Sequence, residues 1–363
     1  MKKNNVKPIA QHHRIIIIAI IVLLIATGIT AWLLLRNPSR TPSDTPNLPE
    51  PTPTATQTTP LSPATSPPPT EAAPTHATLG GQSVPLNATE ADFNLTPDCD
   101  IHQLSLLPDL ESLSIINDQD APVSIAGLLD TLALMPNLRE LSLGFIPLDD
   151  ISPLALLEDL EFLYISYAGL TDIGIVASMP RLETVVLHGN EITDISPLAQ
   201  LSNLRNVVLI YNDIIDISPL AGLTQLEVLE LSFNPNLSDI SALRNLTNLR
   251  QLSLMGTEVS DLSALANMSE LLWLDVSRAN VSNIAPLRGL ENLTFLYLEN
   301  NAIVDVSPLS ELEELQEIWL GGNRIRDISP IAELVFLRLL DITGNPVTNA
   351  NVLEPLPYLT LYR

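Results

Sequence analysis

Apolar positions along most of this chain fall in a phrase of fixed length. The first leucine of Leu-x-x-Leu-x-Leu, or a close variant, stands at Leu138, Leu160, Leu182, Leu204 and Leu226, then at Leu249, Leu271, Leu293, Leu315 and Leu337. The spacing is constant throughout, except that the step from Leu226 to Leu249 is one position longer. Within the unit Leu182 to Leu201, Val185 and Leu187 alternate with Thr184, Val186 and His188. That period of two predicts a short strand. Asn190 ends it, an asparagine suited to turn geometry and able to bond loop backbone through its amide. Ile192 and Ile195 are expected to point inward. Ser196 and Pro197 read as a helix N-cap followed by a proline at the first helical position. Leu198 and Leu201, three apart, share one face of a short helical or 3₁₀ segment. A single unit cannot cover its apolar side, but a stack of them can.

The frame holds from unit to unit. Asp-Ile-Ser-Pro occupies Asp150–Pro153, Asp194–Pro197, Asp216–Pro219 and Asp327–Pro330, with looser copies beginning at Asp172, Asp239, Asp261, Asn283 and Asp305. The turn asparagine recurs as Asn190, Asn212, Asn234, Asn301, Asn323 and Asn345, and gives way to Ala168, Thr257 and Ala279. Upstream, Leu110-x-x-Leu113-x-Ile115 is another strand, set further before Leu138 than one regular step, so that unit carries an insertion around Asn117 to Val123. A half-unit, Asp100-Ile101-His102-Gln103-Leu104, precedes it. About eleven strands are expected. A fixed repeat of this length, carrying this phrase, is the sign of a leucine-rich-repeat solenoid. The predicted fold class is an α/β repeat solenoid, a curved array with a parallel concave sheet and short 3₁₀ or helical convex segments.

The 22-residue unit with its Asp-Ile-Ser-Pro-Leu phrase resembles the bacterial internalin-type repeats over roughly residues 100 to 356. The resemblance implies a right-handed curved solenoid and a surface protein that binds a partner. The chain carries no Leu-Pro-x-Thr-Gly sorting signal, a departure from the best-known internalins in the expected mode of attachment.

The front of the chain supplies a different attachment. Ile15 to Leu35 has no charged residue. At ~1.5 Å per residue a helix of that length spans about 30 Å, enough to cross a bilayer. Lys2, Lys3, Lys7 and Arg14 precede it, which places the N-terminus in the cytoplasm and the rest outside. The apolar stretch is longer than a signal-peptide core, and Ala31-Trp32-Leu33 offers no clean cleavage site, so an uncleaved anchor is expected. Beyond it, from Asn37, the chain turns to Pro, Thr, Ser and Ala, including Pro67-Pro68-Pro69. Such a segment cannot bury a core and reads as a tether, reaching roughly 160 Å if fully extended and nearer ~40 Å as a coil. The expected division is a basic tail over 1–14, a transmembrane anchor over 15–35 and an extracytoplasmic stalk over 36–89. An N-terminal cap with irregular first repeats covers 90–137, regular repeats cover 138–356, and a C-terminal cap covers 357–363.

Charge narrows the choice of partner. All 42 carboxylates lie after position 40, against 11 arginines and no lysine there. A strongly acidic surface disfavours nucleic acid and anionic membranes and favours basic partners. The single cysteine, Cys99, allows no internal disulfide and is expected to be a buried small hydrophobe in the cap.

Residues flanking the buried leucines of each strand face the concave side. Reading those positions gives an early aromatic cluster, Phe162, Tyr164 and Tyr167, continuing to Tyr211 and Phe233. A later cluster holds Trp273, Phe295, Tyr297 and Trp319, interleaved with Glu230, Asp275, Glu299, Glu317 and Asp341. Tryptophan and tyrosine beside charge are the material of interface hot spots. With strands ~4.8 Å apart, Trp273, Phe295 or Tyr297, and Trp319 form one ridge. The expected contacts are Trp273, Phe295, Tyr297 and Trp319, with Asp275, Glu299, Glu317 and Glu230 choosing basic groups, and with Tyr164 and Tyr211 from the early cluster.

The recurring aspartates could bind calcium, but each is expected instead to cap backbone N–H groups at its own turn. No metal or cofactor is expected. Nor is catalysis: His188 faces the concave side without a nucleophile beside it, Ser166 lies one strand away, and there is no phosphate loop, His-Glu-x-x-His or cysteine pair. The functional expectation is a non-catalytic, monomeric ectodomain recognising a protein, with a glycan as the alternative ligand and a self-associating envelope role as the second alternative.

Overall fold

The computed structural model describes residues 75–97, 99–117 and 127–363. The anchor expected over 15–35, and the stalk as far as residue 74, lie outside the described residues, as does most of the insertion expected after Asn117. Among the described residues no helix is long and apolar enough to cross a membrane.

Structure begins earlier than the 89/90 boundary expected from composition. Strands β1 (His76–Leu79) and β2 (Gln82–Pro85) form an antiparallel hairpin inside the stretch assigned to the stalk. Its turn, Gly80-Gly81, has positive φ at both residues, and a side chain at Gly80 would strike the Asn94 carbonyl. Ala77, Leu79 and Val84 are buried with Phe93 and Leu95, so the hairpin covers the first end of the core. Cys99 packs partly buried against the same cluster.

Among the described residues thirteen strands, against about eleven expected, then form one parallel sheet in chain order. They are β3 (Glu90–Asn94), β4 (Ser112–Ile116), β5 (Glu140–Gly144), β6 (Phe162–Ser166), β7 (Thr184–Val186) and β8 (Asn206–Val208). There follow β9 (Val228–Glu230), β10 (Gln251–Ser253), β11 (Trp273–Asp275), β12 (Phe295–Tyr297), β13 (Glu317–Trp319), β14 (Leu339–Asp341) and β15 (Thr360–Tyr362). The two unforeseen strands are β3 and β15, at opposite ends of the ladder, where the leucine phrase is absent or out of step with the repeat. Short 3₁₀ turns, and one α-helical turn at Leu128–Leu132, alternate with the strands on the other side, and the Asp100 half-unit supplies one of the former, Ile101–Leu106. The ten repeat leucines are all buried. Each withdraws a side chain worth ~1.5–3 kcal/mol from water, and stacking multiplies that along the array.

Polar side chains join the repeats. Asn212 is buried; its Oδ1 accepts from Ile192 N–H at 3.0 Å and its Nδ2 donates to the carbonyls of Leu187 and Leu209 at 3.0 and 3.1 Å. Asn190, Asn234, Asn301, Asn323 and Asn345 repeat the pattern. On the convex side the aspartate, rather than the serine, is the cap. Asp194 Oδ1 accepts from Ser196 N–H at 2.8 Å and its Oδ2 accepts from the Ser196 hydroxyl at 3.0 Å, while the residue entering the 3₁₀ turn is Ile195. The serine is thereby drawn into bonding the aspartate, and is not free to cap. Asp150, Asp172, Asp216, Asp239, Asp261, Asp305 and Asp327 each accept the backbone N–H two residues on in the same way. The backbone bond, and then the serine hydroxyl, hold the carboxyls of Asp150, Asp194 and Asp239 below the usual carboxylate range; for Asp327 the Ser329 hydroxyl comes first.

The single longer step leaves the sheet undisturbed. Its extra residue falls in the turn at Pro235–Asn236, closed by Leu237 N–H donating to the Asn234 carbonyl at 3.1 Å. β9 and β10 pair in the same register as their neighbours, Glu230 opposite Ser253.

Candidate partner-binding site on the concave sheet

The outward positions of the strands form parallel rows across the sheet. One row runs Val208, Glu230, Ser253, Asp275, Tyr297, Trp319, Asp341 and Tyr362 in register. Beside it, Trp273 pairs with Phe295 and Phe295 with Glu317. The aromatic contacts cross between the rows. Trp273 meets Tyr297 with ring centroids 5.4 Å apart, Tyr297 stacks on Trp319 at 6.2 Å, and Trp319 on Tyr362 at 6.2 Å. The expected ridge therefore exists and passes through Tyr297. It is longer than expected, because Tyr362, read as part of a cap, belongs to the last strand.

Trp319 and Tyr362 belong to strands two apart, nominally ~9.6 Å at the usual spacing. Their 6.2 Å centroid distance means the rings lean together across the strand of Asp341, which is buried. Burial also overtakes two expected contacts. Glu230 is fully buried and Asp275 nearly so, although alternation directs both to the concave side. Alternation fixes direction; the bulk of lateral neighbours fixes exposure. Phe295, Tyr297, Glu299, Glu317, Trp273 and Trp319 are half-buried and remain reachable.

The carboxylates of this strip carry the marks of burial and of each other. Desolvation pushes Glu230 up to about 8, eased by its bond from Gln251 and reinforced by the charge of Asp275. Asp275 is raised to about 6 by burial, offset by its bond from Ser277 N–H at 2.7 Å. Glu299 is raised by burial and then by Asp341 and Asp275, with Arg278 pulling it down. Tyr297 is pushed up to about 12, first by burial and then by Glu317. This is an acidic, aromatic-floored strip (a local excess of negative charge with restricted water).

The early cluster divides in two. Phe162 is buried, and Tyr164 sits half-buried on the sheet, accepting from the Ser166 hydroxyl at 3.0 Å. His188 packs edge-on against Tyr164 and Tyr167, at 5.4 and 5.2 Å, and burial lowers its pKa to about 4. It is a neutral ring between two phenols, and the buried Ser166 hydroxyl is engaged elsewhere.

Tyr167, Tyr211 and Phe233 are not on strands at all. Each sits in the turn just past its strand, with φ of 50 to 57°. The same register holds Phe145, Gly189, Gly256, Arg278, Asn300, Gly322 and Gly344, every one with positive φ. Phe145 stacks on Tyr167 at 4.9 Å, and Tyr211 on Phe233 at 4.4 Å. The last ring of each pair lies over the following glycine: a side chain at Gly189 would come within 2.5 Å of Tyr167, and one at Gly256 within 2.9 Å of Phe233. Glycines recurring at one register were the signal that could have placed these rings in a left-handed turn.

This fold, a 13-strand parallel sheet alternating with 3₁₀ turns, makes the chain a leucine-rich-repeat protein. The family described as Leucine Rich repeats (2 copies) matches residues 202–245. The chain is structurally similar to the internalins of Listeria monocytogenes. It is 28% identical to the internalin inlF, with a TM-score of 0.67, over 78% of this chain and 89% of that one. To the internalin inlC2 it is 34% identical, with a TM-score of 0.50, over 51% of this chain and 83% of the other. A leucine-rich-repeat protein of Leptospira interrogans shares the fold at 22% identity and a TM-score of 0.59, over 74% of each chain. No curated protein matches the sequence.

Proposed function

We propose that the chain is a non-catalytic recognition module, displayed outside the cell on an N-terminal anchor, that binds a protein through the concave face of its repeats. The observation that carries this reading is the continuous aromatic strip Trp273–Tyr297–Trp319–Tyr362, flanked by Glu299 and Glu317. Half-buried aromatics with charge at their rim supply large contact area at low conformational cost. The likeness to internalins supports a binding role, and the charge-free stretch Ile15–Leu35 behind basic residues supports display.

The test is capture by the full-length chain beside its Trp273→Ala/Trp319→Ala variant, using the proteins of its native surroundings. One specific protein held by the first and lost by the second is the expected result. Equal capture by both would make the strip packing only, and loss of binding after deglycosylation of the captured partner would turn the reading to a glycan. Display is tested separately: protease added to intact cells should remove the repeats and spare an anchored N-terminal stub.

A further inference from the structure

The row from Glu230 to Asp341 holds unmet bonding as well as charge. Glu230 is wholly buried; its Oε1 accepts from Gln251 Nε2 at 2.6 Å, while its Oε2 has no donor within bonding distance. Ser253, the nearest hydroxyl in register, eases the charge but is bonded to Ser232. At the other end the indole N–H of Trp319 is buried without an acceptor. A buried polar group left unpaired costs ~1–3 kcal/mol. The missing partners are one for the second oxygen of the Glu230 carboxyl and an acceptor for the indole.

Four carboxylates, Glu230, Asp275, Glu299 and Asp341, lie along this strip, and Arg278 at its rim is the cation whose charge reaches Asp275 and Glu299. Asp275 and Asp341 are three strands apart, about 14 Å at the usual ~4.8 Å spacing. That is too far to share one ion, and the interval between them is filled by the Tyr297 and Trp319 rings, stacked on one another. Ring faces attract ammonium and guanidinium groups, more strongly where water is restricted. A metal ion brings no acceptor for the indole, and an anion is repelled. A polypeptide with basic side chains brings cationic donors and backbone carbonyls together.

We propose that the strip from Glu230 to Asp341 takes a basic, extended segment of a partner polypeptide. Its arginine or lysine head groups pair with Asp275, Glu299 and Asp341 over the Tyr297 and Trp319 rings, and one of its carbonyls accepts the Trp319 indole N–H. This rests on the concave-face reading above and specifies the chemistry of the ligand.

The experiment is fluorescence anisotropy of a labelled octa-arginine peptide with the full-length chain at physiological salt. The Asp275→Asn/Glu299→Gln variant keeps side-chain size and the Ser277 bond acceptor, so folding is conserved and checked by circular dichroism. Its affinity should fall at least tenfold. A variant of equal charge loss on exposed positions off the sheet, Glu311→Gln/Glu313→Gln, should stay within about twofold of the parent. Equal loss in both variants would overturn the proposal in favour of diffuse attraction to an acidic protein, and so would failure of the parent to bind. If the natural partner is still captured through Trp273 and Trp319 while the peptide is not bound, recognition stands and the basic chemistry falls.

Discussion

Replacing Asn212 by alanine tests whether the asparagine ladder holds the array together. The side chain is 3% exposed and makes three good bonds, to Ile192 N–H and to the carbonyls of Leu187 and Leu209. The two carbonyls do not become orphans, because Asn190 also donates to Leu187 O at 2.9 Å and Asn234 to Leu209 O at 3.0 Å. The Ile192 amide has no such second partner among the bonds described, and Ile192 is fully buried. One stranded donor costs ~1–3 kcal/mol, and each bond lost to a still-satisfied carbonyl costs about 0.5–1 kcal/mol. The expected destabilisation is about 3 kcal/mol on that scale, read as a shift of the urea midpoint by circular dichroism. Amide exchange at Ile192 should accelerate in step. A loss below ~1 kcal/mol with Ile192 still protected would mean that water replaces the amide, and that the ladder is not a structural tie.

Glu230→Gln should change the pH dependence of stability. The folded carboxyl, at about 8, lies above its ordinary 4.5, so the folded state holds the proton more tightly and the parent loses stability as pH rises between those values. The variant should be the more stable by more than ~1.4 kcal/mol at pH 9 and lose that advantage by pH 4, in thermal melts at both pH values. The capping aspartates act oppositely: their lowered pKa values favour the fold above the ordinary carboxylate range, so melts below it should show stability falling again. Gly189→Ala puts a side chain at φ of 68° against the Tyr167 ring and should cost ~1–3 kcal/mol in chemical denaturation. A chain begun at residue 90 loses the hairpin over Phe93 and Leu95 and should melt at lower temperature than one begun at residue 71; equal melting would mean the hairpin does not cap the core.

Much of the architecture was legible because each repeat states it again. The leucine phrase, the asparagine at the turn and the aspartate just ahead of the N–H it binds are local relations, and local relations survive in one dimension. Errors arose where geometry is lateral or composition misleads. The hairpin was hidden because Ala77, Leu79 and Val84 are sparse apolar positions in a Pro/Thr-rich stretch, with no leucine phrase to mark them. Tyr167, Tyr211 and Phe233 were placed on the sheet by carrying its alternation one residue too far, into a left-handed turn. Glu230 and Asp275 point where alternation sends them, yet are covered by side chains from neighbouring strands a whole repeat away in sequence. The ridge was readable because Tyr297 and Trp319 stand one repeat apart and Trp273 falls beside them on the preceding strand; Tyr362 was not, since β15 breaks the period.

The asparagine ladder is interrupted at two successive rungs. Thr257 donates to the Leu254 carbonyl of its own repeat, where an asparagine such as Asn234 also reaches back to the repeat before, and Ala279 has no amide to offer. The two missing ties fall between β9 and β11, within the strip that runs from Glu230 to Asp341. A rod pulled from its ends yields where cross-bracing is absent. Under tension the array should therefore part first across this seam, and a ligand lying along the strip from Glu230 to Asp341 would bridge it and act as the missing brace.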